Sequence, residues 1–162
     1  MRHLVRAFYL LSLFTFAGLV QAAGSSQENP KQIVDAYMAA WNAHDAEKAA
    51  GYLAKDAEYF DVTVGTPQKG REAARDNVIK VFVGAVPDLT WKMNGKPIVD
   101  KDGIAFQWTF SGTNTGAWDA QTPATNKPLS FDGVSYVKVK GGKIVYQGDY
   151  YDALGLHKQL GW

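Results

Sequence analysis

The residues of this sequence best suited to chemistry stand near its end, in Tyr146-Gln147-Gly148-Asp149-Tyr150-Tyr151-Asp152. A carboxyl group set among aromatic rings loses hydration and its pKa rises. It can then exchange a proton with a carbon acid near neutral pH. Asp149 and Asp152 are therefore the candidate catalytic groups. Strand alternation places Val145, Gln147, Asp149 and Tyr151 on one face and Ile144, Tyr146, Gly148 and Tyr150 on the other, so the two aspartates need not share a face. A plainer alternative stays open: Asp149 pairs with a lysine or faces water, and Asp152 caps a final helical turn.

Aromatic residues make up 13% of the chain, more than a minimal core requires. Most belong to the core, but Tyr and Trp carry polar tips that need partners, and an excess of them can line a pocket for a flat apolar ligand. The candidate lining residues are Tyr37, Trp41, Tyr59, Trp108, Trp118 and Tyr146, with Asn114 and Ser135 supplying neutral hydrogen bonds. Each also has an ordinary role open to it in a sheet, loop or core. No metal site is expected: His44 and His157, the histidines outside the N-terminal segment, are far apart and without a surrounding ligand cluster. Phosphate-loop, nucleophile-elbow and dinucleotide signatures are missing too. Any chemistry must be acid–base.

The elements that would position these groups can be read from caps and periodicity. Asn29-Pro30-Lys31-Gln32 gives an N-cap, a first-turn proline and a Gln at N3, so a helix begins there, with Ile33, Tyr37, Ala40, Trp41 and His44 on its inner face. Asp45 caps a shorter helix over Ala46–Leu53. Ala57–Val64 reads as a strand, and Arg71–Val83 as a helix with Ala74, Val78, Val81 and Phe82 inward and Gly84 as its stop. Beyond Pro87 the period changes to alternation. Strands are expected over Leu89–Val99, Ile104–Thr115, Leu129–Lys140 and Lys143–Tyr151, with a tight hairpin at Gly141-Gly142 and a last helical stretch over Leu154–Leu160. Helices followed by antiparallel strands give an α+β fold with a curved sheet against the helices.

Composition narrows the setting. The 162 residues suit one domain, and 17 basic against 16 acidic groups give a charge of +1, too weak a field to hold nucleic acid. Cysteine is absent, which excludes disulfides, thiolate metal sites and cysteine nucleophiles. Arg2 and Arg6 precede the uncharged run Ala7–Val20, and Val20-Gln21-Ala22 has small residues where a signal peptidase reads. At 14 residues the run is short of the roughly 20 needed to span a bilayer. Residues 1–22 therefore read as a secretory signal and 23–29 as a flexible leader. The domain occupies 30–162 of a secreted or periplasmic protein that has no membrane attachment after cleavage. The 140 residues left after cleavage carry 15 basic and 16 acidic groups, a charge of −1.

Several strings taken together resemble the SnoaL-like polyketide cyclases of the nuclear-transport-factor-2-like superfamily. They are Trp41-Asn42-Ala43-His44-Asp45, Gly70-Arg71-Glu72-Ala73, Val86-Pro87-Asp88-Leu89, Gly112-Thr113-Asn114-Thr115-Gly116, Gly142-Lys143-Ile144-Val145 through Tyr150-Tyr151-Asp152, and Gln159-Leu160-Gly161. The resemblance implies a cone-shaped α+β barrel, in which a curved antiparallel sheet encloses a deep pocket closed by the N-terminal helices, and a homodimer. It also implies an Asp on a late strand acting as general acid/base in an aldol closure of a small apolar or aromatic carbonyl compound, without metal or organic cofactor. Asp149 is the better match to that Asp and Asp152 the second. Asn114 stands where many members carry His, and a secretory signal is unusual for a cyclase of a cytosolic pathway. The same cone hosts isomerases, hydrolases and pure binders, so a periplasmic binding protein and a structural module are the alternatives to an enzyme.

Overall fold

A computed structural model describes residues 29–162, and the expected signal and most of the leader lie outside the described residues. Helix α1 covers Pro30–Asn42, and the Asn29 side chain accepts from Lys31 N as its N-cap. It buries Ile33, Val34, Tyr37, Met38, Ala40 and Trp41. His44 lies past its end, at a φ of 56°, and its Nε2 bonds Leu89 O at 3.0 Å. Asp45 caps α2 by accepting from Lys48 N, but α2 stops at Ala46–Ala50 and Leu53 already belongs to strand β1, Leu53–Asp61. β1 also ends earlier than expected. The Asp61 carboxylate accepts from the backbone N–H groups of Thr63 and Val64, turning the chain away from the sheet.

The short strand β2 (Gln68–Lys69) leads into three consecutive helical segments: α3 (Arg71–Ala74), a π-helical turn (Arg75–Ile79) and α4 (Lys80–Ala85). The wider π turn rotates the residues after it about the helix axis, so Ile79 joins Ala74, Val78 and Phe82 in the core while Val81 is only half-buried. Gly84 stays helical. The helix ends at Ala85, just before Val86-Pro87, where the proline restricts the preceding residue.

Strands β3 (Thr90–Val99), β4 (Gly103–Thr113), β5 (Pro128–Lys140) and β6 (Lys143–Tyr151) come next, then α5 (Ala153–Leu160). The sheet has the order β2-β1-β6-β5-β4-β3 and remains open at β2 and β3. The consecutive strands β3 to β6 pair antiparallel, but β1 runs parallel to β6, so the sheet is mixed rather than purely antiparallel. Gly141 and Gly142, at φ of 57° and 73°, form the two-residue turn between Lys140 and Lys143. One irregularity in β6 matters for the site. Lys138 faces Tyr146 and Val139 faces Ile144, which leaves Val145 as an extra residue, a β-bulge. The bulge resets the alternation, so Ile144 turns inward along with Gln147 and Asp149 instead of opposing them.

The core lies between α1, α3 to α4 and the inner face of this sheet. Tyr37, Trp41 and Trp91 meet edge-to-face, with ring centroids 5.5–6.2 Å apart. The opposite sheet face carries exposed Val134, Tyr136 and Tyr150.

Candidate active site

Asp149 is near the end of β6 and is directly opposed to Ser135 on β5 and Asp61 on β1. Its side chain turns into the core and is 5% exposed. Three neighbours donate to it. Tyr59 Oη donates to Oδ2 at 2.6 Å, Ser135 Oγ to Oδ1 at 2.5 Å, and Gln147 Nε2 to Oδ2 at 2.9 Å and Oδ1 at 3.2 Å. Burial pushes the Asp149 carboxyl up to about 7, and the nearby Asp61 charge pushes the same way, while the three donors pull it back.

The carboxyl group stands at the base of a cleft walled by Trp41, Phe82, Trp91, Trp108, Phe110, Phe131 and Tyr151, with Tyr59 and Asp61 beside it. The side chains leave a cavity of about 20 Å3 between them, and about 310 Å3 of atom-free space once the solvent at the mouth is included. The wall is aromatic on nearly every side and, among the described residues, contains no Lys, Arg or His. The rings brace one another: Trp108 meets Phe131 and Tyr151 at 5.8 Å, and Phe82 meets Phe110 at 5.7 Å.

The expected site residues divide between this cleft and other places. Trp41, Tyr59, Trp108 and Asp149 line the cleft, and Ser135 holds Asp149 from below. Tyr37 lies behind, fully buried, close to Tyr59 and Gln147, and its hydroxyl forms no hydrogen bond of ordinary geometry. Asn114 is buried outside the cleft. Its Nδ2 donates to Ala85 O and Gly116 O, and its Oδ1 accepts from Thr125, so it ties a long loop to the end of α4. Trp118 is on that loop, against Phe82 and Trp162, and does not reach the cleft. Tyr146 is on the outer sheet face, its hydroxyl 3.2 Å from that of Tyr150, as regular alternation from Asp149 requires. Asp152 caps α5 by accepting from Gly155 N at 2.8 Å and is exposed, with no place in the cleft.

Asp61, Gln147 and Tyr151 belong to the site although the sequence reading does not single them out. Asp61 accepts from Thr63 Oγ1 at 2.5 Å and from Tyr151 Oη at 3.0 Å, and burial raises its pKa as well. A carboxylate at the end of the stretch Ala57–Phe60 and an amide two residues before Asp149, hence on its face, are the signals that could have found two of them. Among the described residues, no group of three or more His, Cys, Asp or Glu is placed to hold a metal ion.

Residues 31–160 match the SnoaL-like polyketide cyclase family. The chain belongs to that family. No curated protein matches it. Among solved structures, TsrD from Streptomyces laurentii is 26% identical with a TM-score of 0.67, covering 81% of this chain and 93% of its own. IdmH from Streptomyces antibioticus, a candidate polyketide cyclase, is 23% identical with a TM-score of 0.67, covering 82% of this chain and 99% of its own. A protein of ketosteroid-isomerase-like fold from Catenulispora acidiphila, solved with trimethylamine, is 21% identical with a TM-score of 0.67, covering 80% of this chain and 92% of its own. The open sheet, with the helices on its inner side, is the cone of this SnoaL-like fold.

Proposed function

We propose that this chain is an exported SnoaL-like protein that binds a small, largely apolar, carbonyl-containing molecule and moves a proton at Asp149, in an aldol-type cyclisation or an isomerisation without a cofactor. The observation that carries the reading is the position of Asp149: a buried carboxyl at the base of an aromatic cleft, with a pKa of about 7. A base poised near neutrality can take a C–H proton and return it. In such a step Asp149 becomes a neutral acid while the electron pair of the broken C–H bond moves to the carbonyl oxygen as an enolate. The enolate carbon then attacks a second carbonyl, whose oxygen takes up the electron pair and is protonated by Asp149, or the enolate is itself reprotonated by Asp149 at another carbon; either way the carboxylate is restored.

Asp61 beside Asp149, together with a wall lacking basic groups, favours a reacting portion without negative charge. The membership in the cyclase family and the small-molecule complex of the Catenulispora relative support a ligand-holding cleft. The test is exchange of α-hydrogens for deuterium in small aromatic ketones such as 2-tetralone, monitored by proton NMR in D2O. The wild-type protein accelerates the exchange, and Asp149→Asn lowers that acceleration about 100-fold or more. Equal exchange in both removes Asp149 from the chemistry. Saturable binding with no exchange by the wild type assigns the cleft to binding alone.

A further inference from the structure

Trp108 does more than wall the cleft. Its indole Nε1 donates to Ser135 Oγ at 2.8 Å, and the same Ser135 oxygen donates to Asp149 Oδ1 at 2.5 Å. An indole N–H can donate but never accept. It therefore takes one lone pair of the serine oxygen and cannot receive the serine proton, which leaves that hydrogen directed at the carboxylate. The Gln147 amide nitrogen is likewise a donor only, and it spans both carboxylate oxygens. A carboxylate offers roughly four acceptor sites, and Ser135, Tyr59 and Gln147 occupy most of them from the protein side. When Asp149 is protonated, Ser135 could accept that proton only by turning its own hydrogen away from the carboxylate, and its side-chain bonds reach only Trp108 and Asp149.

We propose that Trp108 is a positioning residue that, by occupying the Ser135 oxygen, holds the Ser135 hydroxyl hydrogen on the Asp149 carboxylate. Gly133 makes this possible. It is the β5 residue directly opposite Trp108, and a Cβ there would run into Cζ2 and Cη2 of the indole. Without that carbon the ring lies across β5 and reaches Ser135, two residues further along. The inference rests on Asp149 being the proton-exchanging group.

The other titratable groups facing Asp149 are Asp61 and Tyr59 from β1, Tyr37 from α1 and Tyr151 from β6, and burial raises the pKa of all four. A donor that favours the charged form lowers a carboxyl pKa. Weakening the Ser135 bond should therefore raise it. The experiment is a pH titration of the Asp149 side-chain carboxyl carbon by 13C NMR, in the wild type and in Trp108→Phe, Gly133→Ala, Ser135→Ala and the Trp108→Phe/Ser135→Ala double variant. Trp108→Phe and Gly133→Ala are expected to raise the Asp149 midpoint by about 0.5 to 1, the size of one weakened neutral hydrogen bond. Ser135→Ala raises it at least as far, and adding Trp108→Phe to Ser135→Ala changes nothing more. An unchanged midpoint in the folded single variants overturns the proposal. So does an equal Trp108→Phe effect with and without Ser135. Gly133→Ala keeps the indole, so it carries the test by itself if Trp108→Phe does not fold. The titration needs no substrate, so its failure is distinguishable from failure of the ketone exchange.

Discussion

Asp149 is the residue at which the fold accepts a cost. An ordinary aspartate titrates near ~3.9, whereas burial lifts this one to about 7 in the folded chain. The folded state therefore binds the extra proton between those limits. The stability that goes with it is fully present below about pH 4 and is lost as the pH rises through about 7, a change on the order of 4 kcal/mol. Urea denaturation of Asp149→Asn against the wild type across this window is expected to show the variant gaining relative stability with rising pH. A gap independent of pH would contradict the assignment. Asp61 supplies part of the same effect through its charge. In Asp61→Asn the Asp149 midpoint is expected to fall below that of the wild type, read by the same 13C titration.

At the scale of elements, what places Asp149 is a bulge and a set of caps. The caps are legible in the sequence: Asn29 before α1, Asp45 before α2, and the glycine pair between β5 and β6 all announce themselves by residue type. The bulge at Val145 is not, because an inserted residue leaves no mark on a run of strand-forming side chains. It puts Ile144 inward on the face of Gln147 and Asp149, where unbroken alternation would have put Val145. The parallel pairing of β1 with β6 joins the two ends of the domain and has no local signature either, so spacing alone cannot bring Asp61 to Asp149. Asn114 illustrates the converse. Its residue type suggests a ligand contact, yet its buried amide spans the end of α4 and the 114–127 loop. Asn114→Ala is expected to cost about 2 kcal/mol or more, since it leaves buried backbone groups without partners. Urea unfolding measures that loss, and faster hydrogen exchange at the Thr125 amide locates it.

At the scale of the whole molecule, an open six-stranded sheet covers its inner face with helices and leaves the outer face bearing Val134, Tyr136 and Tyr150 to solvent. We propose that strip as the contact face of a homodimer of this chain. Light scattering after size exclusion is expected to give twice the monomer mass for the wild type and a monomer for Tyr150→Arg. Export is checked separately, by mass spectrometry of the protein recovered outside the cytoplasm, which should begin at Ala23. The molecule's central property is a single carboxyl held near neutrality inside an aromatic cone. The most direct measurement of it is the pH titration of the Asp149 carboxyl carbon in the wild-type protein. A midpoint of about 7 is the expected result, and a midpoint near the ordinary ~4 would contradict the account.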